Sequence, residues 1–249
     1  MGVDIRVCIK RVPDTEARIR IADDGVSIDR SGLKFVMSPY DEFAVEAGLR
    51  TKEEEGEGEV TAISLGEESS QETLRAALAM GADRGVLLTG APGSDGLAAA
   101  RILAPEVESA DLVLFGVKAV DDDQQQVGAM VATLLGRPCA TAVADFELQD
   151  GTVVARREVE GGTEVVELEL PAVLTITKGA FEPRYASLRG IMAAKKKPLE
   201  TREAPAAEAR LEVRGLENPP ERPEGKIVGE GPDAVGELVR LLHEEANAL

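Results

Sequence analysis

The chain has no tryptophan, one histidine (His243) and two cysteines (Cys8 and Cys139) among 249 residues. Each scarcity removes a class of function. The cysteines are far apart and form no CxxC pair, so neither a disulfide scaffold nor a cysteine-rich metal site is credible. A Ser–His–Asp arrangement would have to use His243, which sits among glutamates near the C-terminus, where a solvated side chain is the simpler reading. Basic residues are scarce too: 28 Lys and Arg against 46 Asp and Glu leave a net charge of −18. That excess would repel nucleic acid phosphates and an anionic membrane surface, while it suits solubility or docking to a basic partner. No apolar run approaches the roughly 20 residues of a membrane helix, and Met1 to Lys10 carries charges where a secretory signal would be apolar. The composition leads us to expect a soluble, cytoplasmic protein without catalytic residues or a metal site of its own. If it handles electrons, the redox centre must be a bound cofactor.

What is present is an alternation of strands and helices. Ile5 to Ile9 reads as a strand, followed by a basic turn, Lys10 to Asp14. Arg18 to Ile21 and Val26 to Ile28, around Gly25, suggest a small hairpin. Ser38 is a plausible N-cap for a helix with Pro39 in its first position and Asp41 and Glu42 near its positive end. Val60 to Leu65 reads as a strand. Ser69 and Glu72 match a capping box before a helix stopped by Gly81. Gly85 to Leu88 is the next strand, Leu97 to Val107 a helix that Pro105 would shorten, Asp111 to Gly116 a strand, and Val127 to Leu135 a helix closed by Gly136. This order implies a Rossmann-like α/β fold, a mostly parallel sheet with helices on both faces. Thr141 to Leu148, Val153 to Val159 and Thr163 to Leu170 alternate in polarity and form an antiparallel addition. Pro171 to Ile176 returns to a buried-strand composition. From Pro198 onward the chain is rich in Pro, Glu and Ala, an extended C-terminal arm ending in an amphipathic helix, about Asp233 to Glu245. Its face of Val235, Leu238, Val239 and Leu242 calls for a second chain. The expected division is an α/β domain over 1–197 and an arm over 198–249.

The stretch Gly116 to Gly128 is the most informative. It joins the carboxyl end of a parallel strand to a helix start, where ligands bind in open α/β sheets and free backbone N–H groups can hold a phosphate. Asp121, Asp122 and Asp123 would cap backbone N–H groups or hold a ribose, with Lys118 and the helix dipole meeting the anion. A magnesium site and a plain acidic loop are the alternatives. The ends of the first and second parallel strands, with Cys8 to Arg11 and Leu65-Gly66, and the Ser38 helix start should point into the same crevice. Gly90 to Gly96 is a weak glycine-rich signal, read as a turn. Glu182 to Lys197 interleaves apolar residues with positive charge, as a transient docking surface would; a packed helix with a solvated lysine tail fits the pattern as well.

Together, Lys10 to Asp14, Met37 to Glu46, Gln71 to Arg84, Gly116 to Gly128, Ala155 to Glu164 leading to Pro171 to Thr175, and Glu182 through the lysines resemble the beta subunit of electron-transfer flavoproteins. They run in order over nearly the first 200 residues. The resemblance implies a heterodimer whose alpha subunit holds most of the FAD, while the beta subunit of the non-bifurcating type holds a structural AMP. The implied AMP pocket falls on Cys8, Ser38, Pro39, Tyr40, Asp41, Leu65, Gly116, Val117, Lys118, Ala119, Val120, Asp121, Asp122, Asp123, Gln124, Gln125, Gln126 and Val127. The implied recognition loop covers Glu182, Pro183, Arg184, Tyr185, Ala186, Ser187, Leu188, Arg189, Gly190, Ile191 and Met192, with Leu188 as the anchor for acyl-CoA or related dehydrogenases of fatty acid oxidation. Electrons would then pass to a quinone-linked oxidoreductase. The chain departs from the family's frequent residues at Ser38 (Asn), Val127 (Thr), Ala193 (Lys) and Thr15 (an aromatic). Bifurcating relatives, which bind a second FAD in this subunit, tend to carry glycine where Asp122 stands, so AMP is the expected ligand. A nucleotide-hydrolysing or nucleotide-sensing protein is the reading from another class.

Overall fold

The computed structural model describes residues 2–90, 95–220 and 224–248 and divides into two compact units, Met1–Gly215 and Leu216–Leu249. In the first unit the strands are β1 (Val3–Ile9), β2 (Arg11–Pro13), β3 (Phe35–Met37), β4 (Gly58–Gly66), β5 (Arg84–Thr89), β6 (Leu112–Gly116), β7 (Cys139–Gln149), β8 (Thr152–Val159), β9 (Gly162–Glu169), β10 (Ala172–Ile176) and β11 (Leu199–Glu203). The helices are α1 (Pro39–Glu55), α2 (Gln71–Met80), α3 (Gly96–Val107), α4 (Val127–Leu135) and α5 (Leu188–Ala194).

The main sheet runs β11-β5-β4-β1-β6-β10-β7-β8-β9. It is parallel from β11 to β7 and antiparallel from β7 to β9. Its inner strands β1, β4, β5, β6 and β10 are mostly apolar because both faces are covered, whereas the edge strand β11 is charged and exposed. In β6, Leu112 and Leu114 enter the core on the α1–α2 face, while Val113 and Phe115 enter the one on the α3–α4 face. β10 divides in the same way, Leu174 and Ile176 on one side and Val173 on the other. The expected α/β architecture with an antiparallel addition is therefore present. α4 spans the residues the periodicity indicates, and α3 continues through Pro105 to Val107.

Several local expectations are corrected. The basic turn after β1 is a strand: Arg11–Pro13 pairs with Phe35–Met37 in a separate two-stranded sheet. The hairpin around Gly25 shrinks to one bridge, Ile21 with Ile28, since Ile19 and Val26 are exposed and bury too little to hold a ladder. The capping box at Ser69 does not form. A 3-10 turn, Glu68–Ser70, precedes α2, and Ser70 takes the N-cap position without a side-chain bond. Ser38 stands at the N-cap of α1, but its hydroxyl makes no capping bond. The start of the expected arm, Leu199–Glu203, is an edge strand of the sheet beside β5. Residues 91–94 of the glycine-rich stretch lie outside the described residues.

The second unit carries a 3-10 turn, Pro232–Ala234, and helix α6, Val235–Glu244. Val235, Leu238 and Val239 of its apolar face are exposed, and so is His243.

Candidate functional site: the crevice between β1 and β6

From β1 the chain moves outward to β4 and β5, then returns to place β6 on the other side of β1. Strand order reverses there, which leaves a crevice beyond the carboxyl ends of β1 and β6. One buried carboxylate holds the two ends together. Asp41, in the first turn of α1 and 5 % exposed, accepts from the Lys10 N–H at 2.7 Å and the Gly116 N–H at 3.1 Å. Burial pushes its pKa up to about 7, against the lowering effect of those two bonds. Gly116 has to be glycine: a Cβ there would meet the Asp41 carboxylate and the Tyr40–Asp41 backbone.

The loop that follows closes the crevice. Asp123 and Gln125 hold left-handed φ values of 52° and 54°, which non-glycine residues adopt only at a cost. The three aspartates find partners other than backbone N–H groups. The Lys10 ammonium bonds Asp121 at 2.9 Å and Asp122 at 3.0 Å, and the Lys118 ammonium bonds Asp123 at 2.8 Å while lying 5.8 Å from the Tyr40 ring centre. Burial works against the Lys10 charge, and the two aspartates outweigh it, so its pKa is raised. Lys118 is raised by Asp123. The acidic run is thus largely neutralised by two lysines, one of them from the end of β1. The Ser38 hydroxyl reaches the Lys118 carbonyl at 3.4 Å.

The resulting cavity is lined by Cys8, Asp41, Leu65, Gly116, Val117, Lys118, Ala119, Asp122, Gln124, Gln125, Gln126 and Val127. Of the other expected residues, Ser38, Pro39, Tyr40, Val120, Asp121 and Asp123 do not line it, and Pro39 faces a separate hollow beside α2. The Cys8 thiol is buried, and burial raises its pKa strongly. Sequence reasoning missed the apolar floor of Ile63, Leu103 and Phe115, and a wall made by the start of α3, with Asp95, Gly96 and Ala99. An Asp-Gly pair opening an alanine-rich helix was the available signal for that wall. A Cβ at Gly96 would strike the side chains of Gln124 and Gln126, so α3 and the loop abut. At the base of the cavity α4 begins without a side-chain cap from Gln126; its first-turn N–H groups have no carbonyl one turn earlier to bond. Among the described residues no group of three or more His, Cys, Asp or Glu side chains is arranged to hold a metal, and no helix is long and apolar enough to cross a membrane.

Comparison with known proteins decides the lineage. Residues 25–207 match the electron transfer flavoprotein domain. The electron transfer flavoprotein subunit beta of Bradyrhizobium diazoefficiens is 40 % identical over 251 residues, 98 % of this chain and 99 % of the relative. The human subunit beta is 40 % identical over 247 residues, covering 95 % and 97 %, and that of Syntrophomonas wolfei 37 % over 235 residues, covering 94 % and 92 %. The chain belongs to the electron transfer flavoprotein beta-subunit family.

In this member of the family the segment 182–192 packs over α1 and α2. The Arg184 guanidinium is bound by Glu46 (2.7 Å) and Glu53 (2.6 Å) of α1. Burial would raise the Glu46 carboxyl, but Arg184 and Arg50 outweigh it and hold it below its ordinary value of 4.5. Arg184 therefore ties the segment down instead of standing free on its rim. Ser187 caps α5, accepting from the Gly190 N–H at 3.0 Å, and Gly190 lies so close to α2 that a Cβ would press on the Ala79 carbonyl. Glu182, Pro183, Tyr185, Ala186 and Ile191 border a hollow with α1 and α2. Leu188 is 84 % exposed, Tyr185 99 % and Met192 65 %; Arg189 is exposed as well. The lysine tail is only partly solvated, since the Lys197 ammonium bonds the Leu78, Gly81 and Ala82 carbonyls at 2.6 to 3.0 Å and so closes the C-terminus of α2.

Proposed function

We propose that this chain is the beta subunit of a cytoplasmic, non-bifurcating electron carrier, holding AMP structurally and pairing with an alpha subunit that holds most of the FAD. The observation that carries the nucleotide reading is the crevice between β1 and β6, closed by the Gly116–Val127 loop over the open N-terminus of α4. The residues fit an adenylate. The α4 amides suit a phosphate, and Cys8, Leu65 and Phe115 offer an apolar surface to a base. The cavity encloses about 140 Å3, less than the ~300 Å3 of an ordinary ligand pocket. One ring of a mononucleotide would sit inside, with the rest along the loop. Asp122, drawn to Lys10 on the cavity wall, favours AMP over a second FAD.

The partner-binding role rests on the exposed Leu188. A bare leucine on a helix held by Ser187, Gly190 and Arg184 is an apolar anchor on a fixed base, the form a transient interface takes. It would enter an apolar pocket on an acyl-CoA or related dehydrogenase, and electrons would pass through the FAD to a quinone-linked oxidoreductase. This chain would position the partners without reacting. The test is Leu188→Ala in the purified heterodimer. Transfer from the dehydrogenase should slow while FAD and AMP content stay at wild-type levels. A parallel loss of transfer and cofactor would make Leu188 structural, and unchanged transfer would remove the docking role.

A further inference from the structure

Asp95 is 5 % exposed, yet its carboxylate serves two elements 115 residues apart. Oδ1 caps α3, accepting from Leu97 N–H at 2.9 Å and Ala98 N–H at 3.0 Å. Oδ2 accepts from the Arg210 N–H and, at 3.1 Å, from the Leu211 N–H. The chain reaches Asp95 from β11 by way of Ala204, whose N–H bonds the Thr89 carbonyl at 2.9 Å; Ala204 and Ala207 pack on the α3–α4 core. Among the described residues the two bonds to Asp95 are the only hydrogen bonds that fasten 205–215 to the rest of the α/β unit. The same residue lines the cavity beside Gly96.

We infer that Asp95 is a positioning residue that fastens the segment 204–211 to the wall of the nucleotide cavity, so that filling the cavity and seating the start of the C-terminal arm favour each other. The inference rests on the reading of the cavity as a nucleotide site. A ligand against Gly96 and Ala99 restrains the first turn of α3, and the Asp95 carboxylate carries that restraint to Arg210 and Leu211. By linkage, a seated segment must strengthen ligand binding by the same factor.

Asp95→Asn separates the two duties. Asparagine remains a good N-cap through its single oxygen, but its amide group presents donors where Arg210 and Leu211 also present donors. Hydrogen exchange on the full chain, read at single amides with and without AMP, is the test. In D95N without nucleotide, protection at Arg210 and Leu211 should fall by about tenfold or more while Leu97 and Ala98 keep theirs; Asp95→Ala should lose both pairs. AMP should raise protection at Arg210 and Leu211 in the wild type and leave it unchanged in D95N. Unchanged protection at 210 and 211 in nucleotide-free D95N would overturn the fastening role. AMP that binds the wild type without protecting those amides would overturn the linkage. Failure of AMP to bind at all would remove the nucleotide reading and the linkage with it, while the nucleotide-free comparison still judges Asp95.

Discussion

Replacing Asp41 with asparagine should change how the stability of this protein depends on pH. The Asp41 carboxyl is buried, with a pKa of about 7 against an ordinary 3.8. Between those values the folded state binds more protons than the unfolded one, so this residue's contribution to stability declines as pH rises through the window and levels off above about 7. A shift of roughly three units corresponds to a cost on the order of 4 kcal/mol at alkaline pH, of which about 2–3 kcal/mol accrues between pH 5 and 8. The substituted asparagine would carry no charge, but it has one acceptor for the two N–H donors of Lys10 and Gly116. Leaving one of them unpaired costs about 1–3 kcal/mol at any pH. About 1.5 kcal/mol of the titration cost is already present at pH 5, so D41N should lie within about 1 kcal/mol of the wild type there and exceed it in stability by about 1–3 kcal/mol at pH 8. Urea denaturation of both at several pH values measures the difference, in which the titration of all other groups largely cancels. Parallel stability curves, within ~0.5 kcal/mol over that range, would refute the account of Asp41 as a desolvated clamp.

Arg184→Ala should destabilise by about 2–4 kcal/mol because it leaves the buried Glu46 carboxylate with Arg50 alone; denaturant unfolding gives the value. Since the Glu46 pKa is depressed, the gap to wild type should be full above 4.5 and narrow as pH falls below it. Leu188→Ala, at an 84 % exposed site, should change stability by less than about 0.5 kcal/mol, so any transfer defect it shows belongs to docking. Gly116→Ala should cost about 2–3 kcal/mol or more, because the new methyl meets Asp41 and its backbone; a near-neutral thermal shift would show that the approach of α1 to β6 is looser than described.

The legible part of this fold was the part governed by burial. β1, β4, β5 and β6 read as apolar runs because helices cover both of their faces, and α4 stops where Gly136 takes a left-handed conformation. The Gly116–Val127 loop was legible through its place after a strand. What escaped depended on partners remote in sequence. β11 is held by backbone pairing to β5, to which its charged residues give no clue. The acidic run at 121–123 became intelligible only with Lys10 beside it, and Lys197 only with the carbonyls of α2, more than 110 residues away. Asp95 was hidden for the same reason, since two of its four bonds come from the chain's later course.

The most direct measurement is the identity and amount of small molecules released on denaturing the purified heterodimer, read by mass spectrometry. One AMP and one FAD per heterodimer is the predicted result. Two FADs and no AMP, or no adenine nucleotide apart from a single FAD, would contradict the assignment of the crevice between β1 and β6.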